Sequence, residues 1–352
     1  MAERVRLYVG TEWGLSVWCE ASRGWEQFGP GIAPEPCRAI VGSPTKPERV
    51  FVALEHDGVY ATENGGWHWK KIFNHDVWSL AVDPNDERVM YAGTAPVHLF
   101  RSEDSGAHWE ELTTLQEMPE EVRARQIYPV PGEQSHILNI FIDPENTDNI
   151  VLSLEHGGVI RSRDRGKTWE DVTQGIDYVD IHMVEKPRGR DRYFAATARG
   201  FYSTPDLAEG WTRAENGFTR DYFYKYIILP PKSGNGGEST VLVSTGDHSP
   251  GSWNRPEGAR GAIFRSTDCA ESWHRVGVGS GLPSEMRERA WMFASHPHDA
   301  DSVFAPLGRY PYPNIDTGEG TIVLSRDRGD SWERLDDIHV RSAWVLWAAA
   351  DE

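Results

Sequence analysis

Apolar residues recur along this chain in short runs, many of them alternating with polar positions, and each run is stopped by a turn signal. The stretch Val77–Leu112 shows the unit. Val77-Trp-Ser-Leu-Ala-Val82 reads as a strand ending at Asp83-Pro84, and Val89-Met-Tyr-Ala-Gly93 reads as the next. Leu99-Phe-Arg101 and Trp109-Glu-Glu-Leu112 supply a third and a fourth. The turn after the first strand recurs at Ser43-Pro44, Asp143-Pro144, Lys186-Pro187, Pro230-Pro231 and His296-Pro297. The pattern predicts four-stranded antiparallel sheets repeated along the chain. No apolar run approaches the roughly 18 residues of a membrane-spanning helix.

Seven tryptophans close a recurring octet. Ser102-Glu-Asp104-Ser-Gly106-Ala-His-Trp109, Ser162-Arg-Asp164-Arg-Gly166-Lys-Thr168-Trp169 and Ser325-Arg-Asp327-Arg-Gly329-Asp-Ser331-Trp332 are the fullest copies. Ser266-Thr-Asp268-Cys-Ala270-Glu-Ser272-Trp273 lacks only the glycine. The copies ending at Trp69, Trp211 and Trp25 are more worn. In the full octet, the Asp side chain bonds its own turn, the Gly supplies a positive φ, and the Trp packs between neighbouring sheets. The octet resembles the Asp-box, S-x-D-x-G-x-[ST]-W, of the BNR-repeat β-propellers that include sialidases. That resemblance covers essentially the whole chain. It implies that the box aspartates are structural and lie on the face away from any active site.

The box tryptophans are 44, 40, 60, 42, 62 and 59 residues apart, and the distance from Trp332 round to Trp25 is itself one repeat of 45. The first unit therefore lacks its innermost strand, and Ala343–Ala349 is placed to supply it. The expected fold is an all-β seven-bladed β-propeller with four-stranded antiparallel blades. The C-terminal strand joins the first blade and hides the sheet edge. A six-bladed form is the alternative if the segment around Glu20 is not a full blade. Residues 1–352 are read as one domain.

Composition narrows the function classes. There are 54 acidic and 36 basic side chains, a formal charge of −18, which argues against a duplex nucleic-acid binder. Fifteen tryptophans exclude a disordered acidic chain. Cys19, Cys37 and Cys269 form neither a disulfide framework nor a zinc motif, and MAERVRLYVGT reads as a strand and not as a signal peptide. The expected setting is cytoplasmic, with no membrane partner.

With strands lettered A to D from the axis outward, boxes lie in C–D turns. Four of the five long insertions fall in B–C or D–A connections and enlarge the opposite face, where functional loops are expected. On that face two B–C turns are near-copies: Leu54-Glu55-His56-Asp57-Gly58-Val59 and Leu154-Glu155-His156-Gly157-Gly158-Val159. Other blades place Glu12 and Asp247 there, with His248, Arg199 and Arg309 close by. The D–A ends add Arg38, Trp78, His136, Asp180, His182, Tyr224, Lys225, Arg289, Trp291 and Arg341.

These residues predict a central pocket lined by His, Glu and Arg. His56, His156, Glu55, Glu155 and His182 are the candidate catalytic groups. Arg38, Arg199, Arg309 and Arg341, with Trp78, Tyr224 and Trp291, are the candidate substrate-binding groups, since guanidinium forks match anions. His56, His156, Glu12, Asp247 and His248 are candidate ligands for one divalent ion such as Zn, Mn or Fe. A Glu–His pair shared by two blades also has a plain origin in repeat ancestry.

The leading expectation is an enzyme, hydrolase or lyase, for a small anionic or sugar-like substrate. One alternative is a non-catalytic propeller similar to the photosystem assembly factors. A second is a glycosidase with paired carboxylates drawn from Glu12, Glu55, Glu155, Asp180 or Asp247. The sialidase resemblance would add a carboxylate-binding arginine triad and a tyrosine nucleophile from among Tyr222, Tyr224, Tyr310 and Tyr312. Its Arg-Ile-Pro motif is absent around Pro36-Cys37-Arg38-Ala39-Ile40. A sugar lectin would instead use Trp13, Trp253 or Trp291 as exposed stacking platforms.

Overall fold

A computed structural model describes residues 4–26, 31–126, 134–232, 238–309, 320–338 and 343–351. It is an all-β seven-bladed propeller, with each sheet antiparallel and built from consecutive strands. The second sheet is typical: Cys37–Gly42, Val50–Leu54, Gly58–Thr62 and Lys70–Phe73 pair in chain order. The first sheet is the exception that the spacing foretold. Its inner strand is Ala343–Asp351, which pairs along the whole of Arg4–Thr11. In the seventh, the inner strand is broken into Arg289–Ala290 and Ala294–His296, both paired with Asp299–Gly308.

The second to fifth sheets fall in one compact unit, residues 198–200 excepted, and the first, sixth and seventh in another. Within the larger unit, apolar clusters fill the spaces between successive sheets: Phe51, Met90 and Phe100 in one, Tyr91, Ile137 and Leu152 in the next, Val151, Ile181 and Tyr202 in a third. Within the other unit, Leu242, Val303 and Trp332 form one cluster, and Leu7, Trp18, Phe304 and Leu346 another. Middle strands such as Val50–Leu54 are buried on both faces, so they read as continuous apolar runs and not as alternation.

The boxes show why the octet needs its residues. Ser102 Oγ donates to Asp104 Oδ1 (2.9 Å) and accepts from the Gly106 N–H (2.8 Å), while Asp104 Oδ1 accepts from the His108 N–H (2.8 Å). The Trp109 indole then donates to the Gly106 carbonyl (3.1 Å). The same Ser and Asp bonds recur at Ser162/Asp164, Ser266/Asp268 and Ser325/Asp327. The worn copy at Thr62/Asn64 keeps them with an amide in place of the acid. The fifth position is left-handed, at φ +85° for Gly106 and +94° for Gly329. Ala270 is held at φ +67° without the glycine, a conformation costly to an L-residue.

Candidate active site

Inner strands of five consecutive sheets begin with a β-bulge. The extra residue is Arg38 in the second sheet, Trp78 in the third, Leu138 in the fourth and His182 in the fifth; the sixth carries two, Tyr224 and Lys225. A bulge breaks strict alternation and re-aims one side chain. That is how polar and aromatic residues come to stand at the mouths of strands whose other positions are core.

In the larger unit the bulge residues of the second and third sheets join His136 in a stack. The Arg38 guanidinium lies 4.1 Å from the Trp78 ring centroid, and Trp78 stacks on His136 at 3.6 Å. Each end holds one of the two repeated glutamates. Arg38 forms an ion pair with Glu55. His136, almost wholly buried, sets Nε2 2.7 Å from Glu155 Oε2. Trp78, expected to contact substrate, is flanked by these two partners.

The two Glu–His turns have the same backbone, with His56 and His156 both at φ +55°, but different surroundings. His56 is exposed over 77% of its side chain. Its Nδ1 lies 3.1 Å from Asp76 Oδ2 and its Nε2 3.7 Å from Glu55 Oε1. His156 is 13% exposed, with Nε2 3.8 Å from Asp180 Oδ2. Asp180 is buried, and His182 Nε2 lies 3.3 Å from its Oδ1. Glu155, His156 and Asp180 each offer an atom within 4.8 Å of the others, and among the described residues they are the one such set of three potential metal ligands. In the sequence Asp180 is one of several candidate carboxylates, and nothing local marks its meeting with Glu155.

The remaining expected residues are placed differently. Asp247 is engaged by Arg260 (2.9 Å) and Arg220 (3.3 Å). His248 is exposed and pairs with Asp221 at 3.2 Å. Glu12 is half-buried in the first sheet's B–C turn. Of the five expected metal ligands, His156 belongs to the three-residue set. Arg309 donates to the Pro256 carbonyl (3.4 Å), and Arg199 is exposed. Arg341, Tyr310 and Tyr312 lie outside the described residues.

Tyr224 and Trp291 require a correction. Both rings stand 4.0 Å from the guanidinium carbon of Arg289, which is 1% exposed, and Trp253 and Tyr222 complete the surround at 4.6 and 5.3 Å. Trp253 and Trp291 are each 5% exposed, so neither is an open stacking platform. Their rings are occupied by an internal cation. Of the three tryptophans expected on the surface, Trp13 alone is exposed, at 70%.

No protein-family model matches the chain. It is 24% identical over 342 residues to a probable oligoxyloglucan-reducing end-specific xyloglucanase of Neosartorya fischeri, covering 85% of this chain and 40% of that protein. It is 22% identical over 298 residues to the corresponding enzyme of Emericella nidulans, covering 75% and 35%. The chain thus spans well under half the length of these relatives. Among solved structures it resembles a GH74 xyloglucanase from Xanthomonas campestris, with TM-score 0.67 and 18% identity over 95% of this chain and 53% of that one. YCF48 from Cyanidioschyzon merolae gives TM-score 0.54 and 16% identity over 88% and 87%. These structural likenesses concern the propeller fold.

Proposed function

We propose that this protein is a glycoside hydrolase acting on xyloglucan-type oligosaccharides, with Glu155 and Asp180 as its carboxylate pair. The observation that carries the proposal is their convergence on His156, with the donor atoms within 4.8 Å, where Glu155 ends the second strand of the fourth sheet and Asp180 precedes the inner strand of the fifth. Glycosidic cleavage needs one carboxyl to protonate the leaving oxygen and a second to act as base or nucleophile. Glu155 is held by His136 and is assigned the second role. Asp180 is buried beside His182, whose Nε2 lies 3.3 Å from its Oδ1, and is assigned the first role. His156 stands between the two.

Sequence similarity to xyloglucanases over most of the chain supports a neutral oligosaccharide in preference to a small anion. So does the fate of the arginines: Arg38 is paired with Glu55, and Arg309 bonds a backbone carbonyl. The test is release of reducing sugar from xyloglucan oligosaccharides by the purified full chain. Glu155→Gln and Asp180→Asn should each abolish most of it while the fold is retained. Failure to cleave any β-glucan oligosaccharide would overturn the proposal.

A second reading, a non-catalytic binding propeller, is favoured by one observation. The match to YCF48 is nearly end to end in both chains, whereas the xyloglucanases are matched over about half or less. Oligosaccharide binding or protein capture without cleavage, unchanged in Glu155→Gln, would support it.

A further inference from the structure

We propose that Glu155, His156 and Asp180 form a binding site for one divalent transition-metal ion of the Zn²⁺ class, and that the ion regulates the hydrolytic site by occupying it. Three observations carry this. First, the donor set is mixed imidazole and carboxylate, the chemistry that suits such ions, with all three donor atoms within 4.8 Å. Second, His156 Nε2 and Asp180 Oδ2 stand 3.8 Å apart. That is too far for a strong hydrogen bond. It is close to the separation of about 3.4 Å for two ligands on one tetrahedral ion with bonds of about 2.1 Å. Third, Asp180 is 7% exposed, and its Oδ1 makes no well-formed hydrogen bond among the described residues, the His182 Nε2 3.3 Å away being poorly aligned with it. A buried carboxylate left this way is costly, and a cation offsets the cost.

The surroundings fit an ion as well. His136 Nε2 supports Glu155 at 2.7 Å and His182 Nε2 stands 3.3 Å from Asp180, so both carboxylate ligands have an imidazole behind them. Two carboxylates and one divalent cation sum to zero charge, which suits a site with exposures of 10 to 19%.

The near-copy provides an internal control. At Glu55-His56 the same turn places the ring in solvent. Its two nitrogens face two different carboxylates, and the glutamate is neutralised by Arg38. No common point serves all three groups, so this turn is not expected to bind.

The regulatory effect rests on Glu155 and Asp180 being the acid–base pair; the binding itself does not. The test is calorimetric titration of the EDTA-stripped full chain with Zn²⁺ alone, with metal analysis after dialysis. One ion per chain is expected. His156→Gln and Asp180→Asn should remove it, and His182→Gln should weaken it about 10- to 100-fold. His56→Ala should bind as wild type does. Thermal melts confirm that each variant is folded, and His156→Gln, at a partly exposed position, serves if Asp180→Asn does not fold. Absence of one-to-one binding to the folded wild type overturns the inference, as does binding that survives His156→Gln. Bound Zn²⁺ with xyloglucan cleavage lost on loading supports both proposals. Bound Zn²⁺ with no cleavage by the stripped chain leaves the metal site standing and removes the hydrolase. Cleavage without Zn²⁺ binding does the reverse.

Discussion

His156 Nε2 stands 3.8 Å from Asp180 Oδ2, whereas in the near-copy of its turn His56 Nδ1 stands 3.1 Å from Asp76 Oδ2. Backbone conformation does not explain the difference, since both histidines sit at φ +55°. Exposure and neighbours do. In the second sheet the glutamate is paired with a guanidinium and the imidazole faces water. In the fourth, the glutamate is supported by His136 and the imidazole turns inward toward a buried aspartate.

The first prediction follows from this divergence. Glu155→Gln should lower kcat for oligosaccharide cleavage by at least about 100-fold, the usual contribution of a positioned acid or base. Glu55→Gln, which breaks an ion pair with Arg38, should change it far less. Reducing-end assays on both variants, with melting curves alongside, check the contrast.

Ala270 is the second case. It occupies the box position filled by glycine in four other sheets and is held at φ +67°. Left-handed strain costs about 1–2 kcal/mol, and the extra backbone entropy of glycine costs about 0.5–1 kcal/mol. Strain is the larger effect, so Ala270→Gly should stabilise by up to about 1 kcal/mol. Gly106→Ala should act in the opposite direction and more strongly, because a Cβ there would meet Ile72 Cδ1 at 2.4 Å as well as φ +85°. Urea midpoints of the two variants measure both.

Acid should loosen the boxes. Hydrogen bonds from the His108 side chain and backbone lower the Asp104 carboxyl to about 2. Burial alone would raise Asp164 and Asp327, but hydroxyl and backbone N–H donors outweigh it and hold both below the ordinary aspartate range. A carboxyl lowered by folding stabilises fully above its unfolded value, near about 3.9, and the contribution is lost as pH falls through the folded value. Stability should therefore decline between about pH 4 and pH 2. Asp164→Asn should flatten that decline without breaking the turn, as Asn64 does naturally. Chemical unfolding at a series of pH values reads the slope.

Removal of residues 343–352 should abolish cooperative folding. The strand Ala343–Asp351 pairs along Arg4–Thr11, and Ala343, Leu346 and Ala349 are buried. Without it, the first sheet loses its inner strand and exposes the apolar face of Val5, Leu7 and Val9. A soluble truncated chain with a sharp melting transition would contradict this.

Repeat spacing made the fold legible. The octets recur because each turn needs a small hydroxyl, an acceptor and a left-handed residue at fixed positions, so local chemistry wrote the architecture into the sequence. The missing inner strand of the first sheet was legible for the same reason: a wrap-around interval equal to one repeat left room for Ala343–Ala349.

The site was legible only as a set of residue types on one face. Glu55-His56 and Glu155-His156 are indistinguishable as sequence, and it took tertiary packing to bury one pair and expose the other. Trp253 and Trp291 look like open platforms until Arg289 is seen against their rings. Register decided the rest. A bulge shifts one residue out of alternation, and its position depends on how two strands pair, not on the residues within either strand. The sequence by itself therefore determined the seven sheets and the joining of the C-terminal strand to the first of them. Only the tertiary structure decided that Glu155, His156 and Asp180 meet, because their contact depends on burial and on how the fourth and fifth sheets pack side by side.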